Sequence, residues 1–474
     1  MRLKSLCGLL LLILGHFFRL PGLTQDMTAV VVTFGVTLFL WISVDVIWPS
    51  LLCLISLILI KPLGAKVILA NSFGNEIFVF LLFTFICTYA LTTTTLIKRL
   101  ALGFVTSKIA QKGLWQLQAM FLAAVFICGL VISPTVLFFM FYPLFEEICA
   151  LLGLKKGQKP AAYFLLGLVL VVNLTAGITP IAHVFPVLAL SAYANYSHET
   201  INYLHYTLMA LPLGVLLFGV ILGLLKLAVA KTQLTFTGLK RNDFAKMPPI
   251  QVNEILILVV LGFVLGLWIL PDILIKVFPI FSNLKALGNA FAPLVGCCLL
   301  TLIKVNKQPL LNFNQALAKG VSWPSLLMCA TTLALGASLT SSQIGLIKWL
   351  TNTLSPIAQN LPSLGLIIFF VAWACLESNL SSHIVTAQVV ASLAVPIVAT
   401  TISLPAALVV ASLIGIGASL GSAAPPAMPF VAVACSSGWL TTKTMLKQGI
   451  IYTGLALIIL VVLGYPLGLL ILGN

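Results

Sequence analysis

Residues 376–388 read LESNLSSHIVTAQ, a window that crowds Glu377, Ser378, Asn379, Ser381, Ser382, His383, Thr386 and Gln388 together. Three more windows are polar in the same way. Ser133-Pro134-Thr135 sets two hydroxyls around a residue that removes a backbone donor and breaks a helix. VVNLTAGITPIAH carries Asn173, Thr175, Gly177, Thr179, Pro180 and His183. GIGASLGSAAPPAM carries Gly415, Gly417, Ser419, Gly421, Ser422, Pro425 and Pro426. A broken helix points bare N–H groups, its positive dipole end, into the gap, and short hydroxyls add donors. Four such windows brought together suit non-covalent capture of an anion. Plainer readings compete: a proline kink at Pro134, small-residue helix packing at Gly415–Ser422, and buried packing for either histidine. The sharper reading makes His183 and His383 titratable cations beside the anion.

The elements that must position these windows are apolar. The chain has 474 residues, 61% hydrophobic and 7% charged, with mean hydropathy +1.17. Soluble domains carry about 25% charged residues. Apolar runs recur from end to end, which predicts an all-α polytopic membrane protein whose helix breaks line protein or water-filled space. The formal charge of +15 does not signal nucleic acid, because Lys and Arg fall in short loops without interleaved aromatics. Positive-inside retention explains them. Ten cysteines are scattered without ligand spacing, so neither a disulfide framework nor a metal centre is expected. The start, MRLKSLCGLLLLILGHFF, can be read as a signal peptide or as a retained first helix; with no convincing cleavage site, the helix is favoured.

About 11 transmembrane helices are expected, plus two re-entrant hairpins at 118–150 and 362–400, since these runs are too long and too interrupted for one span. The interruptions pair up. ISPT at Ile132 precedes ESNL at Glu377 by 245 positions, and Thr179-Pro180 precedes Ala424-Pro425 by the same 245. That points to an internal duplication. With the N-terminus cytoplasmic and the hairpins returning to their own faces, all Lys and Arg fall inside except Arg19, Lys61, Lys66, Lys276, Lys285 and Lys348. Each half then has an odd number of spans, which makes the repeats inverted. LIKRLALGFVTSKIAQKG reads as an interfacial amphipathic helix, with QIGLIKWLTNTLSP its weaker counterpart. The polar stretch 226–249 divides the halves.

At these clusters the chain resembles the divalent anion/sodium symporter family, the di- and tricarboxylate carriers of the ion transporter superfamily. The likeness runs from RLPGLTQDMTAVVVTFGVTLFLWI through NSFGNEIFVFLLFTFICTYAL to SSGWLTTKTMLKQGI, nearly the whole chain in order. The resemblance implies an elevator-type carrier and a homodimer. Its scaffold would comprise 1–70 and 201–310, its transport domain 71–200 and 311–448, with a terminal helix at 449–474. It also implies a Ser-Asn-Thr motif at each hairpin tip, binding substrate carboxylate and sodium. The matching positions are Ser133, Pro134 and Thr135, then Ser378, Asn379 and Leu380; Thr179-Pro180 and Ala424-Pro425 match the unwound loops.

Pro134 replaces an Asn of that motif and Leu380 a Thr, which puts the sodium positions, Ser133, Gly177, Asn379 and Ser422, in doubt. SSHIVTA looks more like the branch of 2-oxoglutarate/malate exchangers, on whose register the tip is Asn379, Leu380 and Ser381, with Ser382 beside it. In that branch a basic side chain stands in for sodium, the role His383, with His183, would take. The expectation is therefore exchange of C4–C6 dicarboxylates such as malate, succinate and 2-oxoglutarate, by a multi-pass protein of a bacterial inner membrane, with no cofactor unless sodium. Rival readings are a sodium-coupled dicarboxylate symporter, a cation/proton antiporter with Glu377 and His383 as a relay, an inorganic-anion permease, a channel, or a scaffold with a degenerate site. An enzyme is not expected: Ser378 and His383 sit five apart on a broken segment and no metal-binding HExxH occurs.

Overall fold

A computed structural model describes residues 2–473 apart from 46, 182, 200–201, 230–237, 245, 275–279, 347, 350–352, 354–361, 380–382 and 424–427. It is predominantly helical. The first helices are α1 (Arg2–Phe17), α2 (Gln25–Ser43), α3 (Ile47–Ile58), α4 (Gly64–Asn71), α5 (Glu76–Thr92) and α6 (Leu96–Val105). Next come α7 (Leu114–Gly129), α8 (Pro134–Leu151), α9 (Lys159–Thr175), α10 (Val184–Ser197) and α11 (Tyr203–Val229). The second half opens with α12 (Val252–Leu274), α13 (Ile280–Ala286), α14 (Phe291–Leu302), the single turn α15 (Phe313–Gln315) and α16 (Trp323–Thr340). It closes with α17 (Ser363–Glu377), α18 (His383–Thr401), α19 (Leu404–Ser419), α20 (Pro429–Ser436), α21 (Thr442–Ile459) and α22 (Tyr465–Leu472).

Among the described residues six helices are long and apolar enough to cross a membrane, or seven if α4 and α5, bent by 41°, act as one. The remaining apolar helices have 10–17 residues, so the expected count of about 11 spans is not reproduced by length alone. The all-α expectation needs one small amendment, an antiparallel ribbon pairing Lys304–Val305 with Gln308–Pro309. Asn306 and Lys307 turn it at φ 50° and 63°.

Local chemistry sets the ends. Thr24 caps α2 by accepting the Met27 N–H at 3.2 Å, and Asn75 caps α5 through the Ile77 N–H at 2.9 Å. Pro134 opens α8, where a missing N–H costs nothing. In α6 the buried positions Ile97, Ala101, Leu102 and Val105 form one stripe, as an amphipathic helix requires. Half of its expected counterpart, residues 343–356, falls outside the described residues. Glu254, in the first turn of α12, ties that helix to the start of α6. It lies on α12 at 4% exposure, accepting the N–H of Thr95 at 2.5 Å and that of Gln251 at 3.0 Å. His16 of α1 lies 2.9 Å from Ser56 Oγ.

Two helix pairs have interrupted turns between them, α7 with α8 and α17 with α18. Two broken helices accompany them, α9/α10 and α19/α20. Pro134 and His383, which head α8 and α18, are 249 positions apart; Lys159 and Leu404, which head α9 and α19, are 245 apart. The packing is crossed. The second half of the first broken helix, α10, lies against α18 and α19, and its counterpart α20 lies against α8 and α9. This interlocking core draws on Phe121, Phe138, Phe145 and Phe164 from the first half and Phe370 and Phe430 from the second.

Candidate functional site

The chain between α7 and α8 turns through Leu130–Ser133. Ser133 is the N-cap residue of α8 in an extended conformation, and its side chain does not bond the helix N–H groups. Pro134 is buried, while Ser133 and Thr135 are half-buried. Two residues of the α9/α10 break hold this turn. Thr179 Oγ1 donates to Leu130 O at 2.6 Å. His183 Nε2 lies 3.2 Å from Ile132 O, and its Nδ1 lies 2.9 Å from Thr179 O. With the Thr179 proton committed to Leu130, both ring nitrogens of His183 face carbonyl oxygens. The doubly protonated ring satisfies both contacts; a neutral ring satisfies one.

The second junction is built the other way round. The hairpin residue Asn379 reaches into the α19/α20 break. Its Oδ1 accepts the N–H groups of Ser422 and Ala423 at 2.9 and 2.8 Å. Its Nδ2 donates to Cys375 O at 2.7 Å and Thr453 Oγ1 at 3.2 Å. His383 Nε2 donates to Gly421 O at 2.7 Å. The ring stands edge-on to Phe185 of α10, centroids 5.4 Å apart, and its Nδ1 is buried without a hydrogen-bond partner among the described residues. Ser378 is buried but turns its hydroxyl back on Cys375 O at 3.0 Å.

The two breaks touch. Asn173 Nδ2, at the end of α9, donates to Gly421 O at 3.1 Å and to Ser422 Oγ at 2.7 Å. Gly177 lies so close to α19 that a Cβ there would overlap Ser419 Oγ. Tyr206 OH donates to Gly177 O. Gly421 is equally confined, because a Cβ would run into the backbone carbonyl of Ser378. Thus Thr179, His183, Gly177, Ser378, Asn379, His383 and Ser422 gather in one buried region. Ser133, Pro134 and Thr135 join it through the carbonyls of their own turn. Pro180, also buried, lines a cavity of about 140 Å³ with Tyr203 and Trp268. Leu380, Ser381, Ser382, Ala424 and Pro425 lie outside the described residues. Of the sodium positions, Asn379 and Ser422 are bonded directly, and Ser133 and Gly177 belong to the first junction.

Thr453 and Gly449 of α21 were not anticipated. Gly449 lets α21 ride directly on Ala423, with a would-be Cβ 2.7 Å from its Cα. A glycine and a threonine four apart in an apolar run carry no distinctive signal, since Thr453 also bonds back to Gly449 O in the ordinary helical way.

Paired helix breaks at buried polar turns, inside an apolar helical body, define a membrane transporter rather than a soluble binding protein. The chain belongs to the family described as the sodium:sulfate symporter transmembrane region, whose model matches residues 9–472; it is an anion transporter of the divalent anion/sodium symporter group and a multi-pass integral membrane protein. Among solved structures it is similar in fold to the YdaH transporter of Alcanivorax borkumensis, at 12% identity and TM-score 0.55, over 84% of this chain and 86% of that one. No curated protein sequence matches the chain.

Proposed function

We propose that this protein is a secondary active carrier of small organic dianions, C4–C6 dicarboxylates such as malate, succinate and 2-oxoglutarate, working by exchange and without sodium. The observation that supports it is the fate of the carbonyl oxygens at the two junctions. A coupling cation needs unclaimed oxygens around it. Here Ile132 O and Thr179 O face His183, and Gly421 O faces His383. A protonated His183 would offer the positive charge an anion needs, fixed to the protein rather than delivered by a metal. A carrier with a fixed cation resists crossing empty, because a moving uncompensated charge is costly in lipid. Obligate exchange is the natural result.

In this reading the halves are inverted repeats. Residues 71–200 and 311–448 form the moving transport domain, and 1–70 and 201–310 a scaffold that dimerises. The terminal helix is 449–474, and the N-terminus is on the cytoplasmic side of a bacterial inner membrane. Supporting this are the recurring helix starts and the crossed packing of α10 and α20. Sodium-coupled symport is the second reading, favoured by Asn173 Oδ1, which is buried without a hydrogen-bond partner among the described residues.

The test is uptake of labelled dicarboxylate into proteoliposomes, with and without dicarboxylate inside and with sodium replaced by choline. Exchange predicts strong trans-stimulation that survives choline. Strict sodium dependence without trans-stimulation defeats it, and sulfate uptake without dicarboxylate uptake defeats the substrate class.

A further inference from the structure

We infer that the groove between α1, α2 and α3 is a binding site for a zwitterionic phospholipid bearing a primary ammonium, of the phosphatidylethanolamine type. The groove has a volume of about 590 Å³ and is lined by Asp26 and Lys61 together with residues of all three helices. Its flanks are apolar and open: Ile13, Phe17, Ile55 and Leu59 are 58%, 78%, 56% and 65% exposed. Such flanks suit acyl chains. A wall of that kind inside a bilayer is ordinary; the polar end is not.

Asp26 and Lys61 line the same groove, yet neither forms an ion pair among the described residues. The neighbouring polar groups are already engaged. His16 Nε2 meets Ser56 Oγ at 2.9 Å, Ser56 Oγ meets Thr33 Oγ1 at 2.7 Å, and Gln25 Nε2 donates to His16 O at 2.6 Å. What remains is one carboxylate and one ammonium, both lining the groove. An occupant carrying both charges complements both. Its phosphate oxygens accept from Lys61, and its primary ammonium donates to Asp26. A phosphatidylglycerol headgroup offers Asp26 no cation. A phosphatidylcholine headgroup offers a cation without an N–H. The charge pattern therefore selects among lipids that share the same tails. The groove involves none of the residues placed at the helix breaks.

The experiment uses the full chain purified in mild detergent and mixed with phosphatidylethanolamine, phosphatidylcholine or phosphatidylglycerol of matched acyl chains. Bound lipid is counted by native mass spectrometry. The wild-type protein should retain phosphatidylethanolamine about tenfold better than the other two. Asp26→Asn and Lys61→Gln should each reduce that retention to the phosphatidylcholine level, while the lipid-free melting temperature stays unchanged. Leu59→Trp, which narrows the groove without touching its charges, should lower retention of all three lipids. Equal retention of the three by the wild type overturns the assignment, as does retention indifferent to both charge variants. So does a dimer that cross-links through Ile55→Cys and carries no lipid, for then a second copy fills the groove.

Discussion

The two hairpin–break junctions use the same parts in opposite directions. In the first, the broken helix reaches to the hairpin: Thr179 and His183 bind the carbonyls of Leu130 and Ile132. In the second, the hairpin reaches to the broken helix: Asn379 binds two N–H groups, and His383 binds the carbonyl of Gly421. Pro134 explains the asymmetry. A proline at the first tip has no amide to extend, so that junction is tied from the other side. A consequence is that the α8 N-terminus carries no side-chain cap, whereas the N–H groups of Ser422 and Ala423 are covered by Asn379. The first junction leaves the α8 N-terminus without a side-chain cap; the second uses its donors to hold itself together.

The sharpest break of this comparison is Asn379→Ala. It strips the acceptor from two buried N–H groups, and each unsatisfied group costs about 1–3 kcal/mol. A stability loss of about 2–6 kcal/mol should accompany loss of transport, read as a fall in the thermal midpoint and as proteoliposome uptake at background. If both remain near wild type, the second junction is not held as described.

The histidines come next. His183→Leu leaves the carbonyls of Ile132 and Thr179 without their histidine partner, while His383→Leu removes one of two donors to Gly421 O and leaves it the bond from Asn173. His183→Leu should cost about 2–4 kcal/mol and His383→Leu about 1–2 kcal/mol. His383→Gln keeps an N–H donor and should recover part of the stability. In transport, His183→Leu should be the more damaging, because its ring alone faces two carbonyls. The reverse order would move the fixed charge to the second junction.

Much of this arrangement was legible in the sequence, for a physical reason. Inside apolar runs, proline and glycine beside hydroxyls and amides are expensive unless a break accommodates them. Ser133-Pro134, Thr179-Pro180 and Ser378-Asn379 therefore mark the three described turns directly. The amphipathic stripe of α6 was equally plain. The bonds that join the breaks were not. Asn173 looks like one polar residue among several until folding sets it against Gly421 and Ser422, some 248 positions away. Nothing local to His16 reveals that Ser56 will lie beside it. Helix length does not reveal the number of spans, because α9, α17 and α19 end at breaks within the apolar runs that contain them.

A smaller effect comes from the glycines, and it separates contacts with side chains from contacts with backbone. Gly177→Ala should cost about 1–3 kcal/mol by overpacking, since its Cβ meets Ser419 Oγ. Adding Ser419→Gly should restore most of the loss. Gly421→Ala presses on the Ser378 carbonyl instead, and no side-chain deletion can relieve it. Melting curves of the three single variants and the double variant decide this. A failed rescue at Gly177 would mean that the two breaks are held apart by more than one contact, the nearby Ile416 backbone at 3.1 Å being the next in line.

The smallest expected change is also the most selective. Thr453→Val removes the hydroxyl that accepts from Asn379 Nδ2 at 3.2 Å and keeps the shape of the side chain. Asn379 retains Cys375 O at 2.7 Å and both of its bonds to the break. The hydroxyl also gives up its bond to Gly449 O, whose carbonyl remains available to the ordinary helical N–H. A loss of about 0.5–1.5 kcal/mol follows from one hydrogen bond, with transport largely preserved. Because α21 touches only the second junction in this way, a double-mutant cycle of Thr453→Val with Asn379→Ala should show coupling, and one with Thr179→Val should be additive. Coupling to Thr179 of similar size would show that the two junctions move as one unit rather than as two differently built clasps.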